Sequence, residues 1–130
     1  MAGEPILIVD DNPANLKLVS YLLSCRGYDV HTVTDAEQAL KTLQTLRPRL
    51  ILMDIQLPTM DGLELTRILK KNPSLRGTLI VAVTAYAMKG DEDKAIAAGC
   101  DGYITKPIDT RELPRFVASL LKGRELGKDF

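Results

Sequence analysis

Five short runs rich in Val, Ile and Leu, at residues 6–10, 28–33, 50–54, 79–84 and 102–105, alternate with segments of helical periodicity along the chain. That alternation is the pattern of repeated strand–helix–strand units, which wind around a parallel sheet with helices on its faces. The first, third and fourth runs are continuously apolar, as strands covered on both sides must be, and are expected at the centre of the sheet. The second, Tyr28-Asp29-Val30-His31-Thr32-Val33, alternates apolar with polar and belongs nearer an edge.

The intervening segments carry helix-start signals. Asn12-Pro13 supplies a capping side chain and a proline at the first turn, where its missing N–H does no harm. Thr34 with Glu37, Asp61 with Glu64 and Asp109 with Glu112 each have the spacing of a capping box. In the last helix Leu113, Phe116, Val117, Leu120 and Leu121 share one face, which is expected to pack on the sheet. Residues 88–98 make a poorer core helix, because Lys89-Gly90-Asp91-Glu92-Asp93-Lys94 leaves only Ile96 and small alanines to face inward. Weak packing marks this segment for movement. No repeat or linker interrupts the chain, so a single domain over 1–130 is expected, with a core of about 6–121 and a short polar tail at 123–130.

Seventeen Lys and Arg balance seventeen Asp and Glu, so no chain-wide basic field exists to hold nucleic acid, and direct DNA binding is not expected. Cys25, Cys100 and the single histidine, His31, have no metal-ligand spacing, which argues against zinc and against a disulfide framework. The N-terminal residues lack the basic and apolar regions of a signal peptide, and no apolar run approaches the roughly 20 residues needed to cross a bilayer. A cytoplasmic protein without membrane contact is the expectation.

Parallel topology carries the chemical inference, because every strand then ends on the same edge of the sheet. The first strand ends in Asp10-Asp11, the third in Asp54, the fourth in Thr84, and the fifth runs into Lys106-Pro107. Any one of these alone reads more simply as a loop acid, a strand threonine or a solvated lysine. Their convergence does not. Two carboxylates about 4 Å apart repel by roughly 4 kcal/mol at an effective dielectric of 20, so three together call for a cation. Oxygen-only donors in a shallow, hydrated site favour magnesium.

The residues Val9-Asp10-Asp11, Met53-Asp54, Leu57-Pro58, Met60-Asp61-Gly62, Thr84-Ala85, Tyr103 and Lys106-Pro107 resemble the receiver domains of bacterial two-component response regulators. The resemblance extends from Ile6 to about Leu121. It implies a flavodoxin-like, doubly wound α/β fold, with a five-stranded parallel sheet in order 2-1-3-4-5, two of the five helices on one face and three on the other. It further implies Asp54 as phosphoacceptor, Asp11 and Asp54 as direct magnesium ligands, Asp10 as a ligand through water, and the backbone carbonyl of Gln56 as the remaining protein ligand. Lys106 and Thr84 would assist the chemistry, Thr84 and Tyr103 would form the switch, and the Lys106-Pro107 peptide would be cis. Gln56 and Tyr86 fall where the family modulates dephosphorylation. The implied partners are a sensor histidine kinase or histidine phosphotransfer protein as donor and a downstream protein target.

Three other functions fit less well. A magnesium-dependent phosphatase using Asp10 would need an Asp-x-Asp arrangement, whereas Asp11-Asn12 follows here. A flavodoxin-like cofactor carrier would need hydroxyls and amides at the first loop, where Asp10-Asp11 would repel a flavin phosphate. A degenerate interaction domain would have lost one of Asp11, Asp54, Thr84 or Lys106. A receiver excised from a hybrid kinase or multidomain regulator is the alternative that shares this chemistry.

Overall fold

The computed structural model describes residues 3–58, 60–84 and 91–126. Its strands are β1 (Pro5–Val9), β2 (Asp29–Val33), β3 (Leu50–Asp54), β4 (Leu79–Thr84) and β5 (Gly102–Thr105). All neighbours pair in parallel, in the order β2-β1-β3-β4-β5. Among the described residues the helices are α1 (Pro13–Ser24), α2 (Ala36–Thr42), α3 (Gly62–Lys70), α4 (Asp91–Ala98) and α5 (Glu112–Leu126), with a 3-10 turn at Pro73–Leu75. The order and the helix count match the doubly wound architecture expected. Met88, Lys89 and Gly90, expected to open the fourth helix, lie outside the described residues, as do Ala85 and Tyr86.

Strand alternation divides the core into two layers. Ile6, Ile8, Leu50, Leu52, Leu79, Val81 and Val83 face α1 and α5, meeting Val19, Leu23, Leu113, Val117 and Leu121. Leu7, Val9, Ile51, Met53, Ile80 and Ala82 face the other way, toward Ala39, Leu65, Leu69, Ala95 and Ala98 of α2, α3 and α4. Each fully buried Leu, Ile or Val contributes about 1.5–3 kcal/mol, so the three central strands, buried at every position but Pro5, anchor both layers. The half-exposed β2 lies at an edge, and its His31 pairs with Asp29 at 3.0 Å, as an ordinary strand residue would.

Two helices end in the same way and for the same reason. After α1, Gly27 adopts φ 90°, its N–H bonding to Ser24 O and that of Tyr28 to Leu23 O. After α4, Gly99 adopts φ 107°, with the equivalent bonds from Gly99 N to Ile96 O and from Cys100 N to Ala95 O. Both are Schellman endings, in which only glycine takes the left-handed turn without a steric penalty.

Three local expectations are corrected. The cap of α2 is Asp35 rather than Thr34: the Asp35 carboxylate accepts from Gln38 N at 2.8 Å, while the Gln38 side chain accepts from Thr34 N at 3.0 Å. The box therefore runs Asp35-x-x-Gln38, because the carboxylate is the better acceptor at a helix N-terminus. Ile96 does not face inward but is 59% exposed, and among the described side chains of α4 the buried ones are Ala95 and Ala98. Small residues let α4 lie close to its neighbours, which turns the adjacent Ile96 outward. Finally, α5 continues to Leu126, into the segment expected as tail.

Candidate functional site

β1, β3, β4 and β5 deliver their candidate functional side chains to one edge of the sheet. The ladder continues one residue past β1 through Asp10 N to Val33 O at 3.2 Å, which brings Asp10 level with the end of the sheet. On the far side Lys106 N bonds to Thr84 O at 2.7 Å, so the residue after β5 is held against the last residue of β4. Lys106-Pro107 is a cis peptide.

Asp10, Asp11 and Asp54 each offer a carboxylate oxygen within 4.8 Å of the others. Asp10 and Asp54 are buried and Asp11 is exposed, so the cluster opens to solvent on one side. Lys106 Nζ stands 3.4 Å from Asp10 Oδ2 and 3.3 Å from Asp54 Oδ2, one ammonium bridging two buried carboxylates. The other oxygens are held by the backbone: Asp10 Oδ1 accepts from Asn12 N and Asp54 Oδ1 from Gln56 N, each at 2.9 Å. Burial pushes the Asp54 carboxyl above its ordinary value, aided by the Asp10 charge; the Gln56 N–H and Lys106 pull the other way without prevailing. A further cation would favour the ionised, nucleophilic form.

Thr84 ends β4 as a buried residue, one place beyond Val83, the register partner of Asp54. Tyr103 pairs in register with Ala82 and is half-buried against the α3 and α4 side of the core. The structure thus gathers Asp10, Asp11, Asp54 and Lys106 directly, with Thr84 and the Gln56 backbone alongside, and sets Tyr103 deeper along β5. Two holding contacts went unforeseen, the Asn12 and Gln56 N–H bonds to the carboxylates. Their signal is an Asp two residues before each donor, the spacing of an Asx turn.

The void beneath Asp10 and Asp54 measures about 10 Å³, far below the several hundred Å³ of a small-molecule pocket. A larger groove of about 560 Å³ lies between β5 and α5, lined by Tyr103, Pro107, Ile108 and Phe116 among others, beside the carboxylates rather than over them. A shallow, open cluster suits a reacting group presented on a large partner. No helix among the described residues is long and apolar enough to cross a membrane.

Comparison with known proteins places these features. The response regulator receiver domain family matches residues 6–118. The polar-differentiation response regulator DivK of Brucella anthropi is 44% identical over 115 residues, covering 88% of this chain and 91% of that protein. A CheY-like response regulator receiver domain protein from Methanospirillum hungatei superposes with a TM-score of 0.88 at 33% identity, covering 95% of this chain and 98% of that one. The receiver domain of a sensor histidine kinase from Pseudomonas aeruginosa, solved with a magnesium ion coordinated in its active site cleft, superposes with a TM-score of 0.85 at 36% identity, covering 94% of this chain and all of that one.

Proposed function

The chain belongs to the response regulator receiver domain family, and we propose that as a single receiver domain it takes up a phosphoryl group on Asp54 and thereby switches a protein-binding surface. The observation that carries this reading is the bridge from Lys106 to Asp10 and Asp54 beside Asp11, on an open edge of the sheet. Asp54 and Asp10 are each held on both oxygens, Asp54 by the Gln56 N–H and Lys106 and Asp10 by the Asn12 N–H and Lys106; by likeness to the family, Asp54 is the one that attacks. Its free lone pair attacks phosphorus, the new O–P bond forms as the donor's bond to phosphorus breaks, and the donor leaves with the electron pair. By likeness to the family the donor is a phosphohistidine of a sensor histidine kinase or phosphotransfer protein.

Three convergent oxygen donors, two buried and one exposed, fit a magnesium ion. Asp11, Asp54 and the Gln56 carbonyl would hold it directly and Asp10 through water, and when bound it would offset the charge of the carboxylates and of the phosphoryl oxygens. Lys106 opposes the same charge from the other side. Hydrolysis of the resulting acyl phosphate returns Asp54 to its carboxylate, which makes the chain a timed switch in the cytoplasm rather than a turnover enzyme.

A phosphoryl group brings close to two negative charges and three strong acceptors next to Thr84. Donation from the Thr84 hydroxyl would draw that side chain toward Asp54 and open space toward β5, where half-buried Tyr103 can move inward. The surface that changes then lies around Tyr103 and α4, and a downstream protein reads it. Incubation with acetyl phosphate and magnesium, followed by intact-mass measurement, tests the reading. One added phosphoryl group in the native protein and none in Asp54→Asn supports it; no modification, or equal modification of the variant, removes it.

A further inference from the structure

Beneath the site, the first residue of α3 touches the backbone of the strand that carries Asp54. We infer that Gly62 is a positioning residue: the missing side chain at this position lets α3 dock against the peptide of Asp54 and Ile55 and so fixes the carboxylate and the Gln56 carbonyl where a divalent cation binds. The inference rests on the receiver chemistry proposed above. A Cβ on Gly62 would stand 2.3 Å from the Asp54 carbonyl oxygen and 2.6 Å from Ile55 Cα, distances that side chains do not tolerate. Both obstacles are backbone, so no rotamer change relieves them. Gly62 is not among the described glycines with positive φ, so the requirement here is space alone.

Neither side can retreat freely. The Asp54–Gln56 turn is held from above by Ile55 N to Val83 O at 3.1 Å and from below by Gly62 N to Ile55 O at 2.9 Å. α3 is fixed by its buried Leu63, Leu65 and Leu69, by the Asp61 carboxylate accepting from Leu63 N at 2.8 Å, and by the Thr66 hydroxyl donating to Gly62 O at 2.9 Å. Accommodating a methyl group therefore means shifting the loop by well over half an ångström. Catalytic and metal-binding groups must be held to about 0.5 Å, and a displacement near 1 Å can lower a rate by about 100-fold. Gly102 offers a control, because a Cβ there meets side chains rather than backbone, the Phe116 ring edge at 3.0 Å and Val81 Cγ2 at 3.3 Å, on the strand remote from Asp54 in sequence.

The test compares the native protein with Gly62→Ala and Gly102→Ala by calorimetric titration with magnesium chloride and by the rate of phosphorylation from acetyl phosphate. Gly62→Ala is expected to bind magnesium at least about tenfold more weakly and to react about 100-fold more slowly, with Gly102→Ala like the native protein in both. Magnesium binding within about twofold of native in Gly62→Ala, or equal losses in the two variants, overturns the inference. A native protein that binds magnesium but accepts no phosphoryl group would instead remove the receiver reading, a separately visible outcome. Should Gly62→Ala fail to fold, hydrogen exchange in the native protein decides: a Gly62 amide that exchanges as slowly as Met53 supports a rigid seat, and exchange by local opening overturns it.

Discussion

Replacing Lys106 by methionine removes the ammonium that lies 3.3 Å from Asp54 and 3.4 Å from Asp10 while keeping most of the aliphatic stem. At an effective dielectric near 20, each contact at such distances is worth about 5 kcal/mol of gross attraction, much of it offset by the desolvation of the lysine. Breaking a buried pair by removing one partner costs about 3–5 kcal/mol, because the charge left behind has no water to compensate it. Both carboxylates here are almost wholly buried, with side chains 6% and 3% exposed, so that range applies rather than the roughly 0–1 kcal/mol of a surface pair. With a urea m-value of about 1.5 kcal/mol/M, the midpoint in EDTA at neutral pH is expected to fall by roughly 2–3 M. The loss should shrink in acid, where the carboxylates protonate, and in magnesium, which replaces the missing charge. It should also shrink in an Asp54→Asn background, one of the two orphaned charges being gone. A cost below about 1 kcal/mol in EDTA, insensitive to magnesium, would refute the reasoning, since it would mean the carboxylates are solvated despite their burial.

Asp54→Asn should stabilise the metal-free protein at neutral pH. Because burial raises the Asp54 value above the ordinary 3.8, the native state holds its proton where the unfolded chain has released it, so this contribution falls as pH rises from about 3.8 through the raised native value; the difference between native and variant stability across that range measures it, and a variant less stable at neutral pH contradicts it. Leu65→Ala should cost about 2–5 kcal/mol by urea unfolding and Ile96→Ser less than about 0.5, because Leu65 is fully buried and Ile96 is exposed. Thr84→Ala should still accept the phosphoryl group but lose the phosphorylation-dependent shift of the Tyr103 ring resonances; a shift that persists would take Thr84 out of the coupling.

What the sequence disclosed and what it hid follow from where each feature is encoded. Parallel strands end together, so Asp10, Asp54, Thr84 and Lys106 could be placed on one edge from their positions in apolar runs alone. The two-layer core was equally legible, since continuous hydrophobicity in β1, β3 and β4 has no other use than burial on both faces. Ile96 was misplaced because a helix whose buried face is alanine has no apolar stripe to orient it, and the largest apolar residue then misleads. The cap at α2 slipped by one residue because Thr34 with Glu37 and Asp35 with Gln38 have the same spacing, and only the stronger carboxylate acceptor of Asp35 chooses between them. The space demanded at Gly62 was invisible, because the Asp54 and Ile55 backbone that presses on it comes from tertiary packing and not from any local pattern.

Borohydride reduces an aspartyl phosphate to homoserine, so peptide mapping after phosphorylation and reduction reads the modified position itself. Conversion at Asp54 alone, dependent on magnesium and on acetyl phosphate, is the expected result. Conversion at Asp10 or Asp11, or none at any aspartate while the protein still binds magnesium, would contradict the assignment of Asp54 as the phosphoacceptor.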